Sequence, residues 1–409
     1  MSRRVPFEAP KCPEVKKGGE EVSYTIKVVT PMYGGGAEAG VNDADNPVRA
    51  ASVRGHLRFW WRATRGTAFS SIADLKKREA EIWGSMGQAS STIVEVLRQS
   101  GVESRVYPGH GFDKYGIETY AIFPASSGEH DLLKEGLTFE LRLRYSEEHR
   151  DDVLCALWAW VNFGGIGART RRGCGALYCE NFAPKDSNNL ASWLKGKLGE
   201  YGIETSEIPM LSSLGLPSLG RRFFYNPKEV DALGAWTKGL YAMRNFRQKP
   251  NFARNEGGER PGRSRWPEAD TIRRALHGGH PSHRPNEEMP KGFPRAALGL
   301  PIVFQFKGER ELNTNAYPKG KKRMASPVFL RPMGMQDGKF IAIAVFLDGT
   351  RVKELDVEKL RGSLTQEAIV NPAFADYHNA PMKGLSSGGD ALEAFQNYLK
   401  DNSYKEVSL

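Results

Sequence analysis

Arginines recur at helical spacing between Ser52 and Arg65. On a helix each residue turns the side chain by about 100°, which places these guanidinium groups on one flank: Arg54, Arg58, Arg62 and Arg65. The neighbouring arc is mainly apolar and should face the core: Val53, Leu57, Trp60, Trp61 and Thr64. Guanidinium forks match phosphate oxygens, and no acid occurs between Asp45 and Asp74. The segment predicts a phosphate-binding helix. The alternative is an ordinary amphipathic helix whose arginines pair with acids elsewhere in the fold.

The stretch 163–175 is rich in glycine and follows an apolar segment. Glycine lets the backbone adopt positive φ and approach a ligand closely, and the glycines expected at RNA are Gly164, Gly165 and Gly167. Successive backbone N–H groups can hold phosphate oxygens, and nearby arginines add charge: Arg169, Arg171 and Arg172. Neither a Walker A loop nor a dinucleotide fingerprint fits, since Thr170 stands where the latter needs its third glycine. The stretch predicts an anion-binding loop, with a plain helix-to-strand turn as the alternative.

Further basic residues lie in the second half of the chain. Lys and Arg outnumber acids in 221–274, and 319–331 contains no acid. Arginine interleaved with an aromatic residue around Trp266 is typical of contacts to flexible nucleic acid, although disorder is an alternative there. The RNA contacts predicted in this half are Arg263, Arg265, Arg273, Arg274, Arg323 and Arg331.

The histidines give weak evidence for catalysis or metal binding. His277, His280 and His283 are evenly spaced, but no cysteine or paired carboxylate accompanies them, so we predict no metal. His56 lies among the helix arginines, and we predict that it contacts RNA. Its alternative role is that of a general base. No cofactor and no catalytic set is predicted.

Composition bounds the class of protein. The 409 residues carry 58 Lys and Arg against 48 Asp and Glu, for a net charge of +10, which favours an anionic partner. Hydrophobic residues make up 40% of the chain, enough for globular cores. The four cysteines lack metal-binding spacing and are expected to be free thiols. Neither a secretory signal nor a bilayer-length apolar run is visible, so we expect a cytoplasmic location.

The elements that must position these residues follow from periodicity. Between residues 20 and 182 the order is strand, helix, strand, strand, helix, strand, apart from insertions, which predicts a ferredoxin-like domain. Its predicted elements include helices at about 52–64 and 72–83 and a strand at 137–143. We predict a connector over 183–220 and a second domain over 221–409. The second domain should have strands at 300–306, 328–330 and 340–347, and helices at 233–246, 352–360 and 390–399. A polar, basic insertion without a core is expected over about 248–294.

The glycine-rich loop near the end of the first domain resembles the signature loop of the RAMP superfamily of CRISPR proteins. Thr30-Pro31-Met32-Tyr33-Gly34-Gly35 and the segment 53–62 are similar, more specifically, to the two-domain RAMP subunit at the guide 3′-end side of type III-B (Cmr) effector complexes. The segments 298–304 and 326–332 resemble the second domain of that subunit.

This resemblance implies an α+β fold of tandem ferredoxin-like (RRM-like) domains with insertions. It also implies binding of guide RNA or target RNA, assembly with other RAMP subunits, and no catalytic role. A metal-independent CRISPR RNA endonuclease with His56 as base is the rival hypothesis. A binder of some other polyanion is a third possibility, based on charge alone.

Overall fold

A computed structural model describes most of the chain. The described residues are 19–34, 36, 42–43, 45–107, 116–122, 130–203, 211, 214–248, 266–276, 285, 290–306, 309–349, 351–360, 362–376, 381–382, 385 and 390–408. The helices are α1 (Ala50–Ala63), α2 (Ile72–Trp83), α3 (Ile117–Ile122), α4 (Arg150–Phe163), α5 (Leu190–Glu200), α6 (Ala232–Gln248), α7 (Glu268–Ala275), α8 (Ala373–Asp376) and α9 (Ala391–Asp401).

The strands of the first half are β1 (Glu20–Val28), β2 (Met32–Tyr33), β3 (Ile93–Ser100), β4 (Ser104–Tyr107), β5 (His130–Leu133), β6 (Thr138–Tyr145) and β7 (Leu177–Tyr178). Those of the second half are β8 (Ser218–Tyr225), β9 (Ile302–Phe304), β10 (Thr314–Pro318), β11 (Val328–Gly334), β12 (Phe340–Asp348), β13 (Leu355–Val357) and β14 (Lys405–Ser408). The chain is therefore a mixed helix and strand protein, as the α+β class predicts.

Two four-stranded sheets form the framework, with strand orders β3-β6-β1-β7 and β11-β12-β8-β14. Two three-stranded sheets have the orders β2-β5-β4 and β13-β10-β9. Every assigned strand pair is antiparallel. These sheets bring together strands that lie far apart in the sequence.

The first large sheet has one buried face and one polar face. In β6, Phe139, Leu141 and Leu143 are buried, whereas Arg142 and Arg144, at alternate positions, remain partly or fully exposed. This alternation follows from the two-residue period of a strand. Helix α4 is buried along most of its length because it is apolar on nearly every side. It therefore packs between elements instead of lying on the surface.

The second large sheet is covered on both faces. Side chains of β12 alternate between two cores: Ile341, Ile343, Val345 and Leu347 join the core that contains α1 and α4. Ala342, Ala344 and Phe346 join the core that contains α6 and α9. Trp60 of α1 lies 5.3 Å from the Phe329 ring of β11, measured between centroids. The two halves consequently share a core.

One prediction about these elements was wrong, and two other segments contain helices that the sequence analysis did not predict. Residues 352–360 form no helix but contain β13, because Leu355 and Val357 are buried at strand spacing. The predicted connector contains α5, whose Leu190, Leu194 and Leu198 enter the first core. Part of the supposedly coreless insertion forms α7, and Trp266 before it is fully buried.

Candidate nucleic-acid interface

Helix α1 forms where the sequence predicts it and buries the predicted stripe. Trp60 and Trp61 are 1% and 0% exposed, so both are core residues, as expected, and do not offer stacking surfaces. The Trp61 indole N–H donates to Asp152 Oδ1 at 2.8 Å. Because both tryptophans face inward, the arginines of α1 lie along its flank.

Most arginines of that flank already have acidic partners. Arg58 Nε lies 2.8 Å from Glu79 Oε1, and Arg62 pairs with the same oxygen. Arg65 donates to the Tyr201 carbonyl at 2.6 Å and lies 3.4 Å from Asp152 Oδ1. Glu79 belongs to α2 and Asp152 to α4, so the neutralising acids come from outside the helix. The row of four splits into three paired arginines and Arg54, which has no acidic partner in the described part of the chain.

The glycine-rich loop is held mainly by its own backbone. Ile166 N donates to Gly175 O at 2.9 Å, Gly175 N to Pro31 O at 2.9 Å, and Ala168 N to Tyr33 O at 2.7 Å. These amides are therefore not available to phosphate in this conformation. The Thr30 hydroxyl donates to Gly173 O at 2.6 Å and ties the loop to the end of β1.

Glycine is required in the loop for two different reasons. Gly167 has a φ of 81°, and a Cβ there would lie 2.9 Å from Tyr33 O. Gly164 and Gly165 lie outside the left-handed region, but a Cβ would come within 2.5 Å of Trp60 Nε1 and 2.9 Å of Gly175 O, respectively. The positive-φ argument therefore holds at Gly167, whereas close packing explains the other two.

The loop arginines contact carbonyls and rings in place of acids. Arg169 Nε donates to Ala121 O at 2.6 Å. Arg171 donates to the Ser326 carbonyl, and its guanidinium lies 4.8 Å from the Phe329 ring centroid. Arg172 donates to Arg171 O at 3.3 Å. Burial lowers the pKa of Arg171 to about 10, so it keeps its charge at neutral pH. No carboxylate pairs with these three arginines among the described residues.

Two predicted RNA contacts lie inside the protein. Arg331 is 1% exposed and donates to Val161 O, Gly164 O and Leu177 O at 2.7, 2.6 and 2.5 Å. Burial lowers its pKa to about 9. Arg273 is 8% exposed and lies 3.0 Å from Glu309 Oε2. Because both guanidinium groups are occupied within the fold, we do not include them in the candidate interface.

The remaining predicted residues are scattered or fall outside the described residues. Arg323 is exposed and Arg274 is partly exposed. Both lie about 100 residues or more from the glycine-rich loop along the sequence. Arg263 and Arg265 lie outside the described residues, as do the histidines His277, His280 and His283. Within the described ranges no three His, Cys, Asp or Glu side chains are placed to hold a metal ion. Cys155, Cys174 and Cys179 are buried free thiols, as expected.

A pocket of about 250 Å³ lies between the start of α1 and the glycine-rich loop. Its walls are formed by Met32, Pro47, Arg49, Ser52, His56, Ile166, Gly167 and Ala168. Helix α1 begins here without a side-chain cap and without an acid in its first turn, so its first backbone N–H groups and its dipole favour an anion. Arg49 is exposed beside them.

Sequence reasoning missed Arg49 and Ser52 in this pocket. A signal was present, because Arg49 occupies the position where Ser, Thr, Asp or Asn usually caps a helix. His56, predicted from the sequence as an RNA contact, lines this pocket, and its ring stacks on Trp160 with centroids 5.9 Å apart. Burial lowers the pKa of His56 to about 4. The imidazole is therefore neutral at pH 7 and adds no positive charge.

The arrangement can bind an anion but offers little for catalysis. The uncapped helix start, Arg49 and the adjacent loop arginines supply donors and positive charge. No hydrogen-bond partner orients His56 within the described structure, and its low pKa makes it a weak base at neutral pH. No described helix is both long and apolar enough to cross a bilayer.

Comparison with known proteins gives matches to the RAMP superfamily and to Cmr proteins. Residues 25–178 match the model of the RAMP superfamily. The CRISPR system Cmr subunit Cmr1-2 of Pyrococcus furiosus is 27% identical over 180 residues, covering 38% of this chain and 94% of that protein. The apo crystal structure of Cmr1 from Pyrococcus furiosus is similar, with a TM-score of 0.48, 16% identity, and coverage of 95% of this chain and 98% of that one. A chain of the type III-B Cmr-beta complex bound to cognate target RNA is also similar, with a TM-score of 0.48, 13% identity and coverage of 81% and 95%.

Proposed function

We propose that the chain is an RNA-binding, non-catalytic subunit of a type III-B CRISPR effector complex, because residues 25–178 match the model of the RAMP superfamily. In this proposal it contacts the 3′ region of the guide RNA, the target RNA, or both, and it assembles with other RAMP subunits in the cytoplasm. Its relative Cmr1-2 is named as a Cmr subunit of a CRISPR system.

Tandem ferredoxin-like domains are part of the proposal. In the first half the order β1, α1, β3, β6, α4, β7 is combined with the sheet order β7-β1-β6-β3. In the second half β8, α6, β11, β12, α9, β14 is combined with β14-β8-β12-β11. Both follow the split βαββαβ pattern of that fold. We place the domains at 20–182 and 221–409 with 183–220 between them, although β8 already begins at Ser218.

The observation that carries RNA binding is a positively charged surface whose arginines are ion-paired with no acid among the described residues. It joins the uncapped start of α1, with Arg49 beside it, to the loop arginines Arg169 and Arg172. Backbone N–H groups and guanidinium forks are the donors that phosphodiester oxygens prefer. These donors contact phosphates but do not read base edges, so binding should depend weakly on RNA sequence.

The nuclease alternative depends on His56. A general base should have a pKa near the working pH, whereas burial lowers the pKa of His56 to about 4. The ring also stacks on Trp160. These observations support a packing and contact role over proton transfer, and they favour the non-catalytic proposal.

One experiment tests both functions. The full chain is titrated into fluorescein-labelled guide-repeat RNA and into an unrelated single strand of equal length, and binding is followed by anisotropy. The same RNAs are incubated with the protein in EDTA and examined on gels. We expect similar affinity for both RNAs and no cleavage. Absence of binding at low salt would contradict RNA binding, and discrete cleavage that is lost in His56→Ala would establish the nuclease alternative.

A further inference from the structure

Arg247, in the last turn of α6, has no acidic partner in the described part of the chain. It was not among the RNA contacts predicted from the sequence, since only its place in the fold distinguishes it from other arginines. The side chain is partly buried. A guanidinium removed from water without a carboxylate is costly, so its position favours an anion that the described residues do not supply.

Helix α3 connects α6 to the glycine-rich loop. On one side of α3, Arg169 Nε donates to Ala121 O at 2.6 Å. On the other, Trp236 and Leu240 of α6 share a small core with α3, whose contributions are Ile117, Ala121 and Ile122. The Trp236 indole N–H also donates to Arg172 O at 2.7 Å. These contacts hold α6 against the loop arginines.

Tyr120 of α3 packs against two cores: the small core with Trp236 and Leu240, and the second core, which contains Phe246, the neighbour of Arg247 on α6. Burial is the main cause that lowers the pKa of Arg247; Tyr120 opposes this shift and Arg172 adds to it. Burial likewise lowers the pKa of Arg172, which interacts with Tyr120 and Arg169. Glu268 and Arg295 also influence Arg247; Glu268 Oε1 lies 3.1 Å from Arg295 Nε, and no ion pair joins Glu268 to Arg247 in the described part of the chain. Arg169, Arg172 and Arg247 are named here the arginine cluster, and none of the three is ion-paired with a carboxylate among the described residues.

We propose that the arginine cluster and Tyr120 form a composite site for phosphodiester groups of single-stranded RNA, with residues from both halves of the chain. The inference rests on the proposed RNA-binding function and adds a residue of the second half to it. Guanidinium forks match phosphate oxygens, and the partly exposed Tyr120 ring offers a surface on which a base can stack. An acidic protein surface would satisfy the charge but would make no use of that ring.

The test compares two charge removals on the same helix. Arg247→Gln removes the cluster arginine, and Arg244→Gln is the matched control, because Arg244 packs 4.9 Å from the Tyr241 ring outside the cluster. Affinity of the full chain for fluorescein-labelled single-stranded RNA is measured by anisotropy over a KCl series. We expect Arg247→Gln to weaken binding about tenfold and to reduce the log–log salt slope by about 0.7, which corresponds to one phosphate. Arg244→Gln should stay within about twofold of wild type.

Thermal unfolding separates this role from a structural one. If Arg247 serves RNA binding and not the fold, the Arg247→Gln variant should melt at or above the wild-type temperature. The reason is that the substitution removes an unpaired, partly buried charge. Arg247→Lys should keep most of the salt slope and lose affinity through its missing fork. A lower melting temperature in Arg247→Gln with unchanged RNA affinity overturns the proposal, as does equal weakening by Arg244→Gln. If the wild-type protein does not bind RNA, the proposed RNA-binding function is itself contradicted, and the arginine-cluster site with it.

Discussion

The arginines of α1 and the arginine cluster have the same chemistry and different surroundings. On α1, Arg58 and Arg62 share Glu79, and Arg65 reaches Asp152. In the cluster, Arg169 and Arg172 meet backbone carbonyls. The charge of a paired guanidinium is already neutralised by its carboxylate, so it attracts a phosphate less strongly than an unpaired guanidinium does. The number of arginines therefore says less about an RNA surface than the acids that the fold brings beside them.

The largest effect is expected at Arg331, a buried arginine that donates to backbone carbonyls beside the glycine-rich loop. Arg331→Leu leaves the carbonyls of Val161, Gly164 and Leu177 without their donor. We expect the free energy of unfolding in urea to fall by about 3–5 kcal/mol. Arg323→Leu, at an exposed position, is the control and should change it by less than about 0.5 kcal/mol. Equal losses in the two variants would show that Arg331 does not hold the loop.

His56 lies where the two regions meet, and its titration sharpens the comparison. Its pKa is lowered from 6.5 to about 4 by burial, so in this window the unfolded chain binds a proton that the folded chain does not. Stability should therefore fall as the pH drops from 6.5 to 4, by about 3 kcal/mol at most. His56→Gln should flatten this part of the stability profile, as measured by urea unfolding at a series of pH values. Identical profiles for variant and wild type would mean that His56 titrates normally.

Backbone geometry in the glycine-rich loop is tested by a pair of alanine variants. Gly167 and Gly338 have φ values of 81° and 79°, but only at Gly167 would a Cβ meet backbone, 2.9 Å from Tyr33 O. We expect Gly338→Ala to cost about 1 kcal/mol and Gly167→Ala about 2–3 kcal/mol, both from urea unfolding. RNA affinity should fall only in Gly167→Ala. Similar costs and unchanged affinity in both would argue against a tightly packed, functional loop.

The smallest expected effect is on the salt slope of RNA binding, and it is measured in two double variants, one for each set of arginines. Each double variant removes two guanidinium groups, Arg58→Gln/Arg62→Gln from α1 and Arg169→Gln/Arg172→Gln from the loop. We expect the loop variant to reduce the salt slope of RNA binding by about 1.4, or two phosphates, and the helix variant by less than about 0.7. From sequence alone, with all four helix arginines free, the helix pair would reduce it by about one to two units. A larger change in the helix variant would mean that RNA displaces Glu79.

Elements with clear periodicity could be predicted from the sequence. Helix α2 has the predicted bounds, Ile72–Trp83, and Ser71 caps it by accepting from Asp74 N at 3.1 Å. Helix α1 and the strands β6 and β12 lie within a few residues of their predicted positions. The residues of β8 and β14 were not recognised, because both pair with strands distant in the sequence and β14 is only four residues long.

The charge state of the site could not be predicted in the same way. Glu79 is 17 residues from Arg62, and Asp152 is 87 residues from Arg65, so no local pattern connects them. The approach of α6 to the loop also depends on tertiary packing through α3. Sequence periodicity identified which arginines share a helix face, but only the fold shows which of them remain without an acid.

Strand β12 packs against a different core on each face, and this limits how the protein can be divided into fragments. Its odd-numbered positions from Ile341 to Leu347 pack with the first half, and the even-numbered positions between them pack with the second. A fragment that ends at residue 203 would expose the apolar faces of α1 and α4, and one that begins at residue 214 would expose one whole face of a sheet. We expect either fragment to aggregate when expressed alone and the two to recover solubility when co-expressed, as complementing pieces of one cooperative unit.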